Sequence, residues 1–142
     1  MLIRRGTPQD VDAILAIWLD ASVTAHSFID PDYWMSKVDS MRTLYLAASA
    51  TYIAQKDNEI VGFLMIDQDT VSALFIHPKQ QGLGHGSQLL AHVKSAHAQL
   101  CLCVYKKNIA SIKFYQRQGF IITAEQIEVA TGQAQCVMCW GG

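Results

Sequence analysis

Residues 80–87, Gln80-Gln81-Gly82-Leu83-Gly84-His85-Gly86-Ser87, set three glycines at alternate positions between two apolar stretches. Before them runs Val71-Ser72-Ala73-Leu74-Phe75-Ile76; after them Leu89, Leu90, Val93 and Ala96 recur at helical spacing. A strand therefore ends just ahead of the glycines and a helix opens just behind them, and a flexible turn needs fewer glycines than this. Two nucleotide-binding patterns fail on spacing. The P-loop requires Lys-Ser/Thr after its last glycine, where this chain has Ser87-Gln88, and the dinucleotide fingerprint ends on glycines three apart, whereas these are two apart. What remains is a cradle for an anion such as a pyrophosphate. Bare backbone lets several N–H groups converge, and the first turn of the helix adds unpaired N–H groups and the positive end of its dipole.

Working outward, the strand, glycine loop and helix lead into Leu100-Cys101-Leu102-Cys103-Val104-Tyr105, so this unit predicts a crossover between parallel strands. Upstream, the runs 51–55 and 60–66 flank the polar turn 56–59, and with the strand at 71–76 they predict a three-strand meander. Further back, a short strand over 2–6 is followed by a helix start, with Thr7 as N-cap and Pro8 in the first turn, and by an amphipathic stretch over 11–23. Asp30-Pro31 predicts a second helix running to about residue 48. Downstream, a helix over 109–118 stops at Gly119, and apolar runs on either side of Thr131-Gly132-Gln133 predict a closing hairpin. No repeat or linker divides the chain, and 142 residues suit one domain, 1–142.

Eleven basic and 12 acidic side chains give a formal charge of −1, which advertises neither a nucleic-acid surface nor an anionic membrane as partner. The N-terminus turns polar after three residues and no apolar run approaches a membrane span, so a cytoplasmic protein is expected. The cysteines form C-x-C (Cys101, Cys103) and C-x-x-C (Cys136, Cys139), but inside apolar runs without knuckle turns. In a strand Cys136 and Cys139 face opposite sides. They read as small core residues rather than zinc ligands or disulfide partners. The histidines lack metal-type spacing, and surface roles are expected for His77, His85, His92 and His97; no metal is expected.

Gln81-Gly82-Leu83-Gly84-His85-Gly86, with Leu74-Phe75-Ile76-His77-Pro78 just upstream, resembles the Arg/Gln-x-x-Gly-x-Gly/Ala signature of the GNAT superfamily of acyl-CoA-dependent N-acyltransferases. A second block, Asn108-Ile109-Ala110-Ser111-Ile112-Lys113-Phe114-Tyr115-Gln116-Arg117-Gln118-Gly119-Phe120, looks like that family's later Asn-x-x-Ala/Ser-x-x-Phe-Tyr-x-x-x-Gly-Phe segment. Order and separation fit, and the predicted elements follow the family's order over essentially the whole chain. The resemblance implies a mixed α/β fold of about seven strands flanked by four helices. It also implies transfer of an acetyl group from acetyl-CoA to a primary amine, by direct attack in a ternary complex.

Site residues follow from the same resemblance. Gln81, Gly82, Leu83, Gly84, His85, Gly86 and Ser87 would hold the pyrophosphate, mainly through the backbone. Leu74, Phe75 and Ile76, on a fourth strand splayed from the fifth, would pair with the pantetheine arm and polarise the thioester carbonyl. Tyr115 matches the general acid that protonates the departing CoA sulfur; its alternative is a packed tyrosine that only hydrogen-bonds there. Asn108 matches a cofactor contact and serves equally as an N-cap. His26, Phe28, Tyr33 and Trp34 would shape the acceptor site, with core packing as the other reading of Phe28 and Trp34. The family's strand glutamate is missing, which leaves the general base open among Asp67, Asp69, His26 and Tyr105. Protein or peptide lysine, a protein N-terminus and a small amine all stay open as acceptors, as do a monomer and a homodimer. A non-catalytic acyl-CoA-binding regulator is the alternative function.

Overall fold

Seven strands form one sheet in the order β1-β2-β3-β4-β5-β7-β6 in a computed structural model that describes residues 1–48 and 50–141. The strands are β1 (Leu2–Arg5), β2 (Ala50–Lys56), β3 (Glu59–Asp67), β4 (Thr70–Ile76), β5 (Gln99–Tyr105), β6 (Ile121–Ile127) and β7 (Ala134–Gly141). Helices α1 (Val11–Ala25), α2 (Pro31–Ser36), α3 (Val38–Ala47), α4 (His85–Lys94) and α5 (Ile109–Arg117) cover its faces. All neighbouring strands are antiparallel except β4 and β5, the pair joined by the α4 crossover. This is the mixed α/β sheet that the sequence predicts.

Local chemistry accounts for most of these elements. Asp57 and Asn58 both take positive φ, the conformation of a two-residue hairpin turn that asparagine and aspartate tolerate, and this fixes β2 against β3. β3 is buried at six consecutive positions, Val61 to Ile66, because helices cover both faces; hence its unbroken apolar run. On one face Leu89, Leu90 and Val93 of α4, Ile112 and Tyr115 of α5, and Phe120 just beyond it pack against Leu64, Leu100, Leu102 and Met138. On the other, α1 to α3 pack Ile14, Trp18, Trp34 and Met41 against Ile53, Phe63 and Met65, with Trp18 meeting Trp34 edge-on at 5.8 Å. The link from β1 to α1 is locked by Arg4, whose guanidinium donates both Nη1–H and Nη2–H to Asp10 at 2.9 Å. Thr7 N–H donates to the same carboxylate at 2.8 Å.

The structure departs from the sequence reading at three places. The helix expected from residue 31 to about 48 is interrupted at Lys37, whose N–H donates back three residues to Trp34 in a tightened turn before α3 restarts, so the sheet carries five helices. Cys101 and Cys139, expected as unpaired core residues, are register partners on β5 and β7 and form a disulfide. Cys136 does lie buried on the opposite face of β7, while Cys103 is exposed. The pairing follows from topology: β7 inserts between β5 and β6, bringing the last cysteine beside the first. His85, expected at the surface, is buried. Among the described residues no helix is long and apolar enough to cross a membrane.

Candidate active site

The parallel pair at the centre of the sheet is barely a pair. β4 and β5 share one register position, Thr70 with Cys101, next to a hydrogen bond from Cys101 N–H to the Asp69 carbonyl at 2.9 Å. Beyond that point the strands diverge. On its other side β4 pairs with β3 as far as Ile76, and a register shift there, with Met65 opposite Ala73 but Ile66 opposite Val71, leaves Ser72 as the extra residue that bends β4 away. Between the diverging strands opens a cavity of about 370 Å³, lined by Leu74 and Phe75 from β4 and by residues 102–105 of β5. The edge of β4 that faces this cavity presents main-chain groups unclaimed by β5, as a strand that accepts an extended, amide-bearing ligand must.

At the far end of β4 lies the glycine loop. Gly82 and Gly84 hold φ of +78° and +86°, and Gly84 is the left-handed N-cap of α4. A Cβ built on either would meet no atom within 4 Å, so the space before them is open and backbone handedness is what demands glycine. Gly86 serves differently: its Cβ would come to 3.1 Å from the Phe114 ring, so its bareness lets α4 approach α5. The Gln81 side-chain amide donates to the Ile76 carbonyl at 3.1 Å, tying the loop to the end of β4. Ser87 Oγ accepts from the Gln118 amide at 2.9 Å. The His85 ring points inward, with Nδ1 beside Met1 Sδ at 2.8 Å, and burial, then the positive charges of Lys56 and the N-terminus, lower its pKa. Its imidazole is thus buried beneath the loop, and its main chain lies in the first turn of α4. An open cradle of left-handed glycines and first-turn N–H groups fits a pyrophosphate.

Tyr115 reaches the cavity from α5. Its ring packs edge-on against Phe114 at 5.2 Å and Phe120 at 5.6 Å, and burial pushes the phenol above its ordinary pKa, so it holds its proton at neutral pH. Asn108 caps α5 by accepting from Ser111 N–H at 3.2 Å, and its Nδ2 lies 3.3 Å from His26 Nε2; it too lines the cavity. His26 is clamped by Trp34, Tyr105 and Phe28, with ring centroids 5.1, 4.9 and 5.7 Å away. Burial lowers its pKa, against smaller opposing effects of the Ser22 carbonyl and the Glu128 charge, so the imidazole is neutral. Tyr33 and Trp34 line the same end of the cavity. Trp34 is both wall and core. Phe28 stands behind His26, under the Lys107 ammonium at 5.8 Å, and does not line the cavity; nor does Ile76.

One carboxylate here escaped the sequence reading. Glu128, just past the end of β6, accepts from the Tyr105 hydroxyl at 2.6 Å and the Thr131 hydroxyl at 2.7 Å on Oε1, and from the Gln135 amide at 3.1 Å on Oε2. Burial first, then the Glu128 hydrogen bond and charge, drive the Tyr105 phenol far above its ordinary pKa. Asp67 and Asp69 lie at the β3–β4 turn, outside the cavity lining. Among the described residues no group of three or more His, Cys, Asp or Glu could hold a metal ion.

Comparison with known proteins agrees with this geometry. Residues 47–122 match the acetyltransferase (GNAT) domain family. Over 140 residues, 98% of this chain and 96% of the relative, the sequence is 33% identical to the peptidyl-lysine N-acetyltransferase YiaC of Escherichia coli strain K12. The solution structure of the apo-form of YjaB from Escherichia coli superposes with a TM-score of 0.88 at 25% identity, covering 99% of this chain and 97% of that one. The PaiA N-acetyltransferase of Thermoplasma acidophilum, solved with coenzyme A, shares the fold with a TM-score of 0.79 at 17% identity, over 99% and 98% of the two chains.

Proposed function

Because the chain belongs to the GNAT family of acetyl-CoA-dependent acetyltransferases, we propose that its split sheet transfers the acetyl group to the side-chain amine of a peptide or protein lysine. The observation that carries this reading is the single paired position between β4 and β5, with Tyr115 set in the opening. The name of the 33%-identical relative, a peptidyl-lysine N-acetyltransferase, supports the acceptor class.

Each part has its task. Main-chain donors of Gln81, Gly82, Leu83, Gly84, His85, Gly86 and Ser87 hold the pyrophosphate of acetyl-CoA. The free edge of Leu74, Phe75 and Ile76 aligns the pantetheine arm and donates to the carbonyl oxygen as it gains charge. His26, Tyr33 and Trp34 bound the acceptor end, with Phe28 supporting His26 from behind. In the reaction a neutral amine nitrogen forms a bond to the thioester carbon, the carbon–sulfur bond breaks, the Tyr115 phenol gives its proton to the departing sulfur, and the proton that the acylated nitrogen sheds restores the phenol through water. Tyr105 stays protonated and the turn aspartates stand outside the cavity, so the ammonium proton leaves to His26 or to water.

Incubation with acetyl-CoA and a set of lysine-containing peptides, read by mass spectrometry, tests the proposal. Acetylation at the lysine side chain, abolished or strongly slowed in Tyr115→Phe, is the expected result. Saturable coenzyme A binding with no amine acetylated would identify an acyl-CoA-binding regulator instead.

A further inference from the structure

Glu128 does not itself line the cavity, yet two of the three side chains that donate to it, Tyr105 and Gln135, do. Three donors on one half-buried carboxylate fix its position, and all three are neutral, so the negative charge stays uncompensated. Among the described residues no lysine or arginine pairs with it. Three lysines of flanking segments contact other groups: Lys106 pairs with Glu125 at 3.0 Å, Lys107 lies over Phe28, and Lys37, which lines the cavity, lies over the Tyr33 ring at 5.6 Å. Its field reaches across the acceptor end, since Tyr33 and His26 both feel it.

We infer that Glu128 is a specificity-determining residue, which holds a fixed negative charge behind Tyr105 and Gln135 and so draws an acceptor side chain into the cleft in its ammonium form. This rests on the lysine reading above and adds the group that selects the amine before it is deprotonated. Glu128 is not the proton acceptor, because it does not line the cavity and is reached there only through Tyr105 and Gln135.

The test uses peptides that bind without reacting, so it stands apart from turnover. A trimethyllysine peptide keeps the charge and cannot be acetylated; its norleucine counterpart has neither charge nor amine. Calorimetry with coenzyme A present should show wild type preferring trimethyllysine by about fivefold to tenfold, the size expected of one partly screened charge. Glu128→Gln, which keeps the shape, should erase the preference while leaving norleucine binding within about twofold. The double variant E128Q/Q135E returns one carboxylate to the same hydrogen-bonded pair of side chains, and restored preference distinguishes charge from mere packing. It also supplies the measurement if Glu128→Gln alone fails to fold. Equal affinity of wild type for the two peptides, or a preference that survives Glu128→Gln, overturns the inference. Failure of wild type to acetylate any lysine peptide counts against the proposed reaction and leaves this binding comparison to be judged by its own result.

Discussion

Replacing Tyr115 with phenylalanine removes one oxygen and leaves the ring where it is. The contacts with Phe114 and Phe120 persist, and the hydroxyl makes no hydrogen bond to another described residue, so the folded state should change by no more than about 1 kcal/mol. The catalytic cost is set by proton affinity. An ordinary thiol has a pKa of about 8.5 and an ordinary phenol about 10, and burial raises Tyr115 further. Full proton transfer to a thiolate is then uphill by at least about 2 kcal/mol, unless the sulfur is desolvated as well. On the proposed mechanism the proton therefore crosses late, once the carbon–sulfur bond is largely broken and the charge on sulfur is developed. Loss of this donor should cost about 100-fold in kcat, near the low end for a general acid, or about 2.7 kcal/mol of barrier. The KM for acetyl-CoA should stay within about threefold. Thiol release at saturating peptide, paired with a thermal unfolding curve, reads both quantities. The reasoning is refuted by a kcat loss under about threefold, or by a loss matched by weaker coenzyme A binding and a lowered unfolding midpoint, which would make Tyr115 a packing residue. The sign with pH is fixed too: a raised phenol pKa means that wild type loses no activity through this group below about pH 10.

Three other expectations follow from the geometry. Gly84→Val forces a branched side chain to φ +86° in open space, costing about 1–2 kcal/mol in strain and at least about tenfold in coenzyme A affinity by titration calorimetry. Gly86→Val instead meets the Phe114 ring and should lower the unfolding midpoint more than the affinity; the reverse ranking would undo the distinction drawn between the two glycines. Arg4 holds the Asp10 carboxyl at about 2, below its ordinary 3.8, so this ion pair stabilises the fold fully above about pH 4 and loses that contribution as pH falls through about 2. Urea unfolding of Arg4→Met should show a deficit of about 1–2 kcal/mol at pH 6, after allowance for solvent screening, and that pH-dependent part should shrink to a few tenths of a kcal/mol at about pH 2 and vanish below it. The Cys101–Cys139 bond spans 38 residues, and opening it should cost up to about 4 kcal/mol of loop-closure entropy. Without reductant an alkylating reagent should label Cys103 in the native protein and add only Cys136 on denaturation; four labelled thiols would contradict the pairing.

What could be read in advance divides along physical lines. The cradle was legible because left-handed backbone is written in glycine and a helix start in the spacing behind it; Gly82, Gly84 and the onset of α4 fall where residues 80–87 place them. The cap of α5 by Asn108 was legible for the same local reason. The break at Lys37 was not, since Trp34, Val38, Met41 and Tyr45 keep helical spacing across it and periodicity cannot see a tightened turn. Nor does Val71 to Ile76 announce its own departure from β5, because the bend depends on the register with β3, which leaves Ser72 with no residue opposite it. The largest omissions share one cause. The final hairpin places its second strand, not its first, beside β5, and that choice is made by burying Cys136 and Met138 in the core. From it come both the disulfide and the return of Glu128 to Tyr105, which are 23 residues apart along the chain.

The divergence of β4 from β5 also bears on solubility. A strand with vacant amides is ordinarily a peripheral hazard, ready to recruit a strand from another molecule and begin aggregation. Here the vacancy is interior, in the middle of the sheet and flanked by Trp18 of α1 and Tyr115 of α5. The outermost strands β1 and β6 meet solvent in the usual way, while the unpaired edge of β4 lies along a cavity whose guests, on the proposed function, carry their own amides.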